Sequence, residues 1–370
     1  MQKSSAVIFR KRLLSYSETF IADQGQMLPT YQPVYCGFAQ DSSGISMIQG
    51  SQKHLLSDYS SLPGLSKFLF RKGLQGGKRW VQAISQFDPD IIHAHFFSDG
   101  IDGLRLGERM QLPVITTVHG HDITKYANAV AQTRESRNFF ERVDGVIAVS
   151  QFIATEALER GCPENKLHQH YIGIDLQKFE QAKAESDIPS ILFVGRLVEK
   201  KGCTYLLQAM HKLKSRFPQL RLTIVGDGDL AASLQQEARE RELNVEFVGT
   251  ESAAQIRSRL ARSWLFVAPS ITAQNGDAEG LGMVFLEAQA LSTPVVSFRS
   301  GGLVEAVVEN ETALLSDEKD VAGLADNIAQ LLENDSQRHH MGRLGRARVE
   351  QHFDVRKQCA ELEKIYRKLV

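Results

Sequence analysis

Short apolar runs recur along this chain at intervals that leave room for a helix between them. This alternation restricts the fold more than any single motif does. In the first half the runs cover residues 6–9, 34–38, 91–94, 114–118 and 145–149; in the second they cover 191–194, 220–225, 245–248, 265–268 and 295–298. Their hydrophobicity is flat rather than alternating, which suits strands covered on both faces and therefore parallel strands in βαβ units. A chain of 370 residues is also long for one core. Two series predict an α/β protein of two Rossmann-like domains. The polar stretch EQAKAESDIPS, residues 180–190, is the expected linker, giving domains 1–180 and 181–352.

Composition narrows the function classes. The 43 basic and 44 acidic side chains leave a net charge of -1, with no basic excess in either half, against a nucleic-acid partner. Cys36, Cys162, Cys203 and Cys359 are scattered and form no Cys-x-x-Cys pair, which suits a reducing cytoplasm better than a disulfide framework or a thiolate metal site. The opening MQKSSAVIFRKR has too short an apolar core for a signal peptide. No apolar run approaches the roughly 20 residues that span a bilayer. The expectation is a cytoplasmic protein, soluble or attached to a membrane surface.

In open α/β sheets, ligands bind beyond the carboxyl ends of the strands. Four polar segments fall at such ends: HGHD after Val118, GRLVEKKG after Val194, GDGD after Val225, and NGDAEGLGMVFLEAQA, residues 275–290. In the last, Glu279 precedes Gly280, Leu281 and Gly282, where glycines allow close approach and a helix begins with outward N–H groups. Met283, Val284, Phe285 and Leu286 continue it as an apolar helix, in which Glu287 is an isolated carboxylate needing a partner. Arg196 and Lys201 stand after Gly195, where a guanidinium and an ammonium can clamp a diphosphate; solvated surface bases are the plainer reading.

Other motifs carry competing readings. Gly226-x-Gly228 within GDGDLA matches part of a dinucleotide fingerprint, with Glu246 about 20 residues on, and would support an NAD-dependent oxidoreductase. Asp227 and Asp229 oppose this by placing negative charge where pyrophosphate would sit. The pairs His93/His95 and His119/His121 point rings the same way on a strand, but without thiolates they read as core or cleft histidines rather than a metal site. Asp88-Pro-Asp90 and Asp227-Gly-Asp229 match Asp-x-Asp by chance. No Gly-x-Ser-x-Gly elbow occurs.

Glu279-x7-Glu287 within EGLGMVFLEAQA, VGRLVEKKG, HGHD, and the segment 149–179 resemble a family-4 (group 1) retaining glycosyltransferase over nearly the whole length. YSETFI, residues 16–21, is similar to the branch that builds bacterial exopolysaccharides such as colanic acid. The resemblance implies the GT-B fold, two Rossmann-like domains with parallel sheets facing across a cleft, the first on the acceptor side and the second holding the donor. It also allows the last helix, about 353–370, to return to the first domain. It implies no metal and no cofactor beyond a UDP- or GDP-sugar as co-substrate, and a sugar or lipid-linked acceptor. His119, Arg196, Lys201 and Glu279 would be catalytic. Gly195, Gly226, Asp227, Gly280, Leu281, Gly282, Met283, Val284 and Glu287 would bind the donor, with Glu287 on the ribose. The glycine-rich loop usual after the first strand is missing, and Lys11, Arg12, His121 and Asp122 become the acceptor-side candidates. A non-catalytic nucleotide-sugar-binding module would keep the same pattern.

Between Ser60 and Phe87 there is no acidic residue, while Lys67, Arg71, Lys72, Lys78 and Arg79 are interleaved with Phe68, Leu69, Phe70, Leu74 and Trp80. A helix here would set an apolar face beside a basic one, suiting either peripheral contact with an anionic membrane or ordinary packing on the first sheet.

Overall fold

The computed structural model describes residues 4–42, 44–125, 138–180 and 184–370. The first sheet runs Gln52–Leu55, Tyr31–Gly37, Ser4–Phe9, Pro89–His95, Val114–Val118, Gly145–Ala148, Leu167–Gln169. The second runs Val245–Gly249, Arg221–Val225, Ser190–Val194, Leu265–Val267, Val295–Phe298, Ala313–Ser316. Every neighbour pair in both is parallel. Each sheet begins in its middle and grows outward in both directions, so the strand order reverses beside its first strand. That reversal leaves a crevice at the carboxyl ends of Ser4–Phe9 and Pro89–His95 in one sheet, and of Ser190–Val194 and Leu265–Val267 in the other.

The ten apolar runs all become strands. The additional strands Gln52–Leu55, Leu167–Gln169 and Ala313–Ser316 lie at sheet edges. An edge strand has one neighbour and needs less apolar cover, and the first two are largely polar and only partly buried.

The chain divides into two compact units, Met1–Gly173 with Val355–Val370, and Ile174–Asp354. The polar stretch 180–190 thus lies beyond the first crossing. Residues 181–183 are outside the described residues, but Ala184 and Ser186 donate backbone N–H groups to Ala261 (3.0 Å) and Arg262 (2.9 Å), which fastens this stretch to the second unit.

In the first unit the helix Val355–Tyr366 completes the core. Val355, Cys359, Leu362 and Tyr366 pack with Ile8, Ile21, Tyr31 and Tyr35. The Glu363 carboxylate accepts from Thr30 N (2.6 Å), Thr30 Oγ1 (2.6 Å) and Tyr31 N (3.1 Å), fixing the helix at the start of a strand. In the second unit Phe193, Phe266, Phe285 and Phe298 are fully buried. Phe285 meets Phe266 edge-on, with centroids 5.3 Å apart, and holds the helix Met283–Ala290 against the strand Leu265–Val267.

Candidate functional site

At the crevice of the second sheet, the loop after Val194 and the loop before Met283 meet through their charges. Lys201 ends the short turn Glu199–Lys201, and its Nζ lies 2.5 Å from Glu279 Oε1. Ser270 Oγ donates to the same oxygen at 3.4 Å. Next to it, Lys200 Nζ binds Asp277 Oδ1 at 2.8 Å and the Ala278 carbonyl at 3.3 Å. Burial by itself would raise the Glu279 pKa. The Lys201 and Lys200 charges, the Lys201 hydrogen bond and the Arg196 charge outweigh it and hold the group at about 2. Arg196 is exposed, with no ion-pair partner for its guanidinium among the described residues.

Gly282 precedes the helix Met283–Ala290 at φ 81°, and no side chain caps this N-terminus. The amides of Met283 and Val284 therefore remain for an external acceptor. Met283, Val284 and Glu287 are half-buried, at spacings i, i+1 and i+4 that share one side of the helix, while Phe285, Leu286 and Ala288 are buried. The two glutamates differ in their surroundings. Glu279, in the loop before the helix, is 6 % exposed and paired. Glu287, expected inside an apolar helix, sits on its half-open side. Leu281 is buried and serves packing at this point.

Gly226 explains the GDGD turn. Its φ is 138°, and a Cβ there would stand 1.9 Å from the Gly195 carbonyl oxygen. The turn is stitched to the loop after Val194: Gly195 N donates to Val225 O (3.0 Å) and Leu197 N to Asp227 O (2.8 Å), while Asp227 Oδ1 accepts from Gly228 N (2.7 Å). The glycines thus serve loop packing. Gly226 follows the second strand of its sheet, and Glu246 pairs in register with Thr223, three residues before Gly226. With about 3.3 Å per residue, Glu246 lies too far from the loop to serve a ribose held there. The NAD reading loses its acidic partner.

In the first unit, His119 and Asp122 follow the strand Val114–Val118. Asp122 is buried and accepts from Phe97 N, His119 N and Gly120 N, each at 2.9 Å. It therefore anchors two loops. Burial raises its pKa against the pull of those N–H groups and of His121. His119 Nε2 lies 3.2 Å from His95 Nδ1, and its ring is flanked by Phe96 at 4.5 Å and Phe20 at 5.0 Å. Burial, then the charges of Arg10 and the neighbouring histidines, push its pKa well down, so the ring is neutral. His121 is half-buried, with Phe96 6.3 Å away. His93 stacks on His95 at 4.3 Å, and both its ring nitrogens are engaged, by Tyr366 Oη and Thr117 Oγ1 at 2.6 Å each. It is a core histidine.

Lys11 and Arg12, paired in the sequence reading, separate. Lys11 Nζ approaches Asp102 Oδ2 (3.4 Å) and Asp99 Oδ1 (3.7 Å), and burial draws its pKa down despite both aspartates. Arg12 is exposed and meets Asp41 at 3.3 Å. Sequence reasoning missed the cluster around Lys11. Arg10 bonds Asp99 and Glu18 and lies over the Phe96 ring at 4.3 Å. Asp102 takes Arg71 at 2.6 Å and Arg105 at 2.8 Å. Phe96 itself adopts φ 72°, an outlier for a bulky side chain, at the junction of strand and helix in this crevice. Asp99 and Asp102, spaced i, i+3 directly after a strand at the switch point, were the available signal.

Comparison with known proteins identifies the family. The description Glycosyl transferases group 1 matches residues 175–348, and Glycosyltransferase Family 4 matches residues 46–178. The amylovoran biosynthesis glycosyltransferase AmsK of Erwinia amylovora is 29% identical over 81% of this chain and 76% of its own. A GDP-mannose-dependent monoacylated alpha-(1-6)-phosphatidylinositol monomannoside mannosyltransferase of Corynebacterium glutamicum is 31% identical over 64% of this chain and 65% of its own. The crystal structure of Anabaena HepE in complex with UDP and glucose superposes with a TM-score of 0.78 at 19% identity, covering 98% of this chain and 99% of that one. The two family matches run from residue 46 to 348, and the chain belongs to the group 1 glycosyltransferases of the GT-B fold.

Proposed function

We propose that this glycosyltransferase moves a hexosyl group from a UDP- or GDP-sugar to a hydroxyl, with retained anomeric configuration and without a metal ion, in polysaccharide or glycoconjugate synthesis. The Lys201–Glu279 pair at 2.5 Å, beside the exposed Arg196 and an uncapped helix N-terminus, carries the reading. A leaving nucleoside diphosphate needs its developing charge met, and two cations with helix amides supply that in place of Mg²⁺. Glu279 fixes the Lys201 ammonium and faces sugar hydroxyls, Glu287 takes the ribose hydroxyls, and His119 is assigned a hydroxyl of the transferred sugar. The bond from the anomeric carbon to the phosphate oxygen breaks as the acceptor oxygen bonds that carbon on the same face. The departing phosphate takes the acceptor proton. AmsK, named for amylovoran biosynthesis, and the lipid-directed mannosyltransferase support an exopolysaccharide chain or a lipid-linked saccharide as acceptor class.

A panel of UDP- and GDP-sugars tests this by thermal shift, by transfer and by NMR of the product anomer. One nucleotide sugar should stabilise the protein and turn over with retention, unaffected by EDTA. An inverted product, strict dependence on added Mg²⁺ or Mn²⁺, or stabilisation by NAD instead would refute it. Binding without hydrolysis or transfer would make the protein a binding module.

A further inference from the structure

Among the described residues eight large apolar side chains are exposed, and four of them, Leu62 (61%), Leu65 (52%), Phe68 (55%) and Leu74 (54%), fall in one short segment. Leu65 and Phe68 lie on the helix Pro63–Arg71, Leu62 directly precedes it, and Leu74 lies in the turn that follows. The other side of that helix is fixed in the first unit. Phe70 is fully buried, 5.6 Å from Phe38 and 5.5 Å from Trp80, and Arg71 is held by Asp102 at 2.6 Å. The helix therefore presents its apolar outer side from a rigid base, and packing on the sheet accounts only for its inner side.

Along this segment the charges have one sign. Lys72, Lys78 and Arg79 are exposed, Lys67 is half-buried, and no acidic residue occurs between Ser60 and Phe87. A second copy would fit this poorly, because a twofold contact sets a patch against itself and would bring like charges together. An anionic lipid surface complements it: leucines and Phe68 enter the acyl boundary while the cations meet headgroup phosphates. We propose that the helix Pro63–Arg71 and the following turn dock this protein on an anionic bilayer surface. The inference does not depend on which nucleotide sugar is used.

Flotation of the full chain with phosphatidylcholine vesicles, with and without phosphatidylglycerol, tests it. Recovery should require the anionic lipid and should fall as salt rises. Lys72→Glu/Lys78→Glu/Arg79→Glu should lower partitioning by roughly 100-fold, since each cation contributes about fivefold. Leu65→Ser/Phe68→Ser/Leu74→Ser should abolish recovery. Both variants alter exposed side chains, so melting temperature and transfer to a soluble acceptor should match wild type, which separates this idea from the proposed activity. No recovery of wild type at low salt overturns the proposal, as does undiminished flotation of the charge-reversed variant. A dimer in analytical ultracentrifugation that the serine variant dissolves would also overturn it, giving the patch to a second copy.

Discussion

Lys201 holds Glu279 in its charged form, and this makes the donor side testable one residue at a time. With Glu279 held at about 2, against 4.5 for an ordinary glutamate, its folded-state pKa is depressed. The pair's stabilisation is therefore complete above about pH 4.5 and lost as pH falls toward 2. A shift of this size is worth roughly 3 kcal/mol. Glu279→Gln should then lose less stability than wild type between pH 5 and pH 3 in urea titrations; parallel curves would show the pair carries no such energy. Lys201→Ala and Arg196→Ala should each lower turnover by about 10²–10³-fold. They should differ in stability, because removing Lys201 leaves a buried carboxylate short of its closest cation, at about 3–5 kcal/mol, whereas exposed Arg196 should change the melting point little. Equal destabilisation would contradict the assigned burial. Glu287→Ala should weaken donor binding by about 1.5–3 kcal/mol in calorimetry, the usual worth of hydrogen bonds to a charged group, with the fold intact; unchanged affinity would remove Glu287 from the ribose. The sequence made both glutamates visible but not their surroundings. An apolar run suggests burial all round, yet Met283 and Val284 lie on the half-open side with Glu287. Which side opens is decided by Phe285 packing on Phe266, a contact between distant segments.

Elements carried more of the fold than of the site. Central strands such as Val114–Val118 and Val295–Phe298 are legible because a strand covered on both faces must be apolar throughout. Edge strands such as Leu167–Gln169 escape the same logic. The acceptor-side cluster escapes for another reason: Asp99 and Asp102 sit on a helix, Arg10 and Lys11 on a strand end, and only the order reversal of the sheet brings them together. Loops make the sharper prediction. At Gly226 a side chain would meet the Gly195 carbonyl at 1.9 Å on a backbone of φ 138°, and strain of this kind costs on the order of 1–3 kcal/mol before any clash is counted. Gly226→Ala should lower the melting temperature and, by pushing on the loop that carries Arg196, also weaken nucleotide-sugar affinity. A variant as stable and as tight-binding as wild type would mean that the two loops part easily.

The whole molecule has an asymmetry that the alternating pattern cannot express: the second unit is one stretch, Ile174–Asp354, while the first needs Val355–Val370 from the far end of the chain. That terminal helix places Val355, Leu362 and Tyr366 in the core and closes the bond from Tyr366 Oη to His93 Nδ1. Burying three or four such side chains is worth about 1.5–3 kcal/mol each, hence roughly 5–12 kcal/mol, against a total of about 5–15 kcal/mol for an ordinary domain. The helix is thus comparable to the whole margin of the first unit. A chain ending at residue 354 should lose cooperative unfolding of the first unit while the second still melts as one transition. Residues 1–173 expressed alone should lack a sharp melt, and adding a peptide of residues 355–370 should restore it. Tyr366→Phe gives the graded version: His93 would lose a buried partner, costing about 1–3 kcal/mol, with the helix still in place. If the truncated chain melted in the wild-type manner, the helix would be an attachment to a core complete without it.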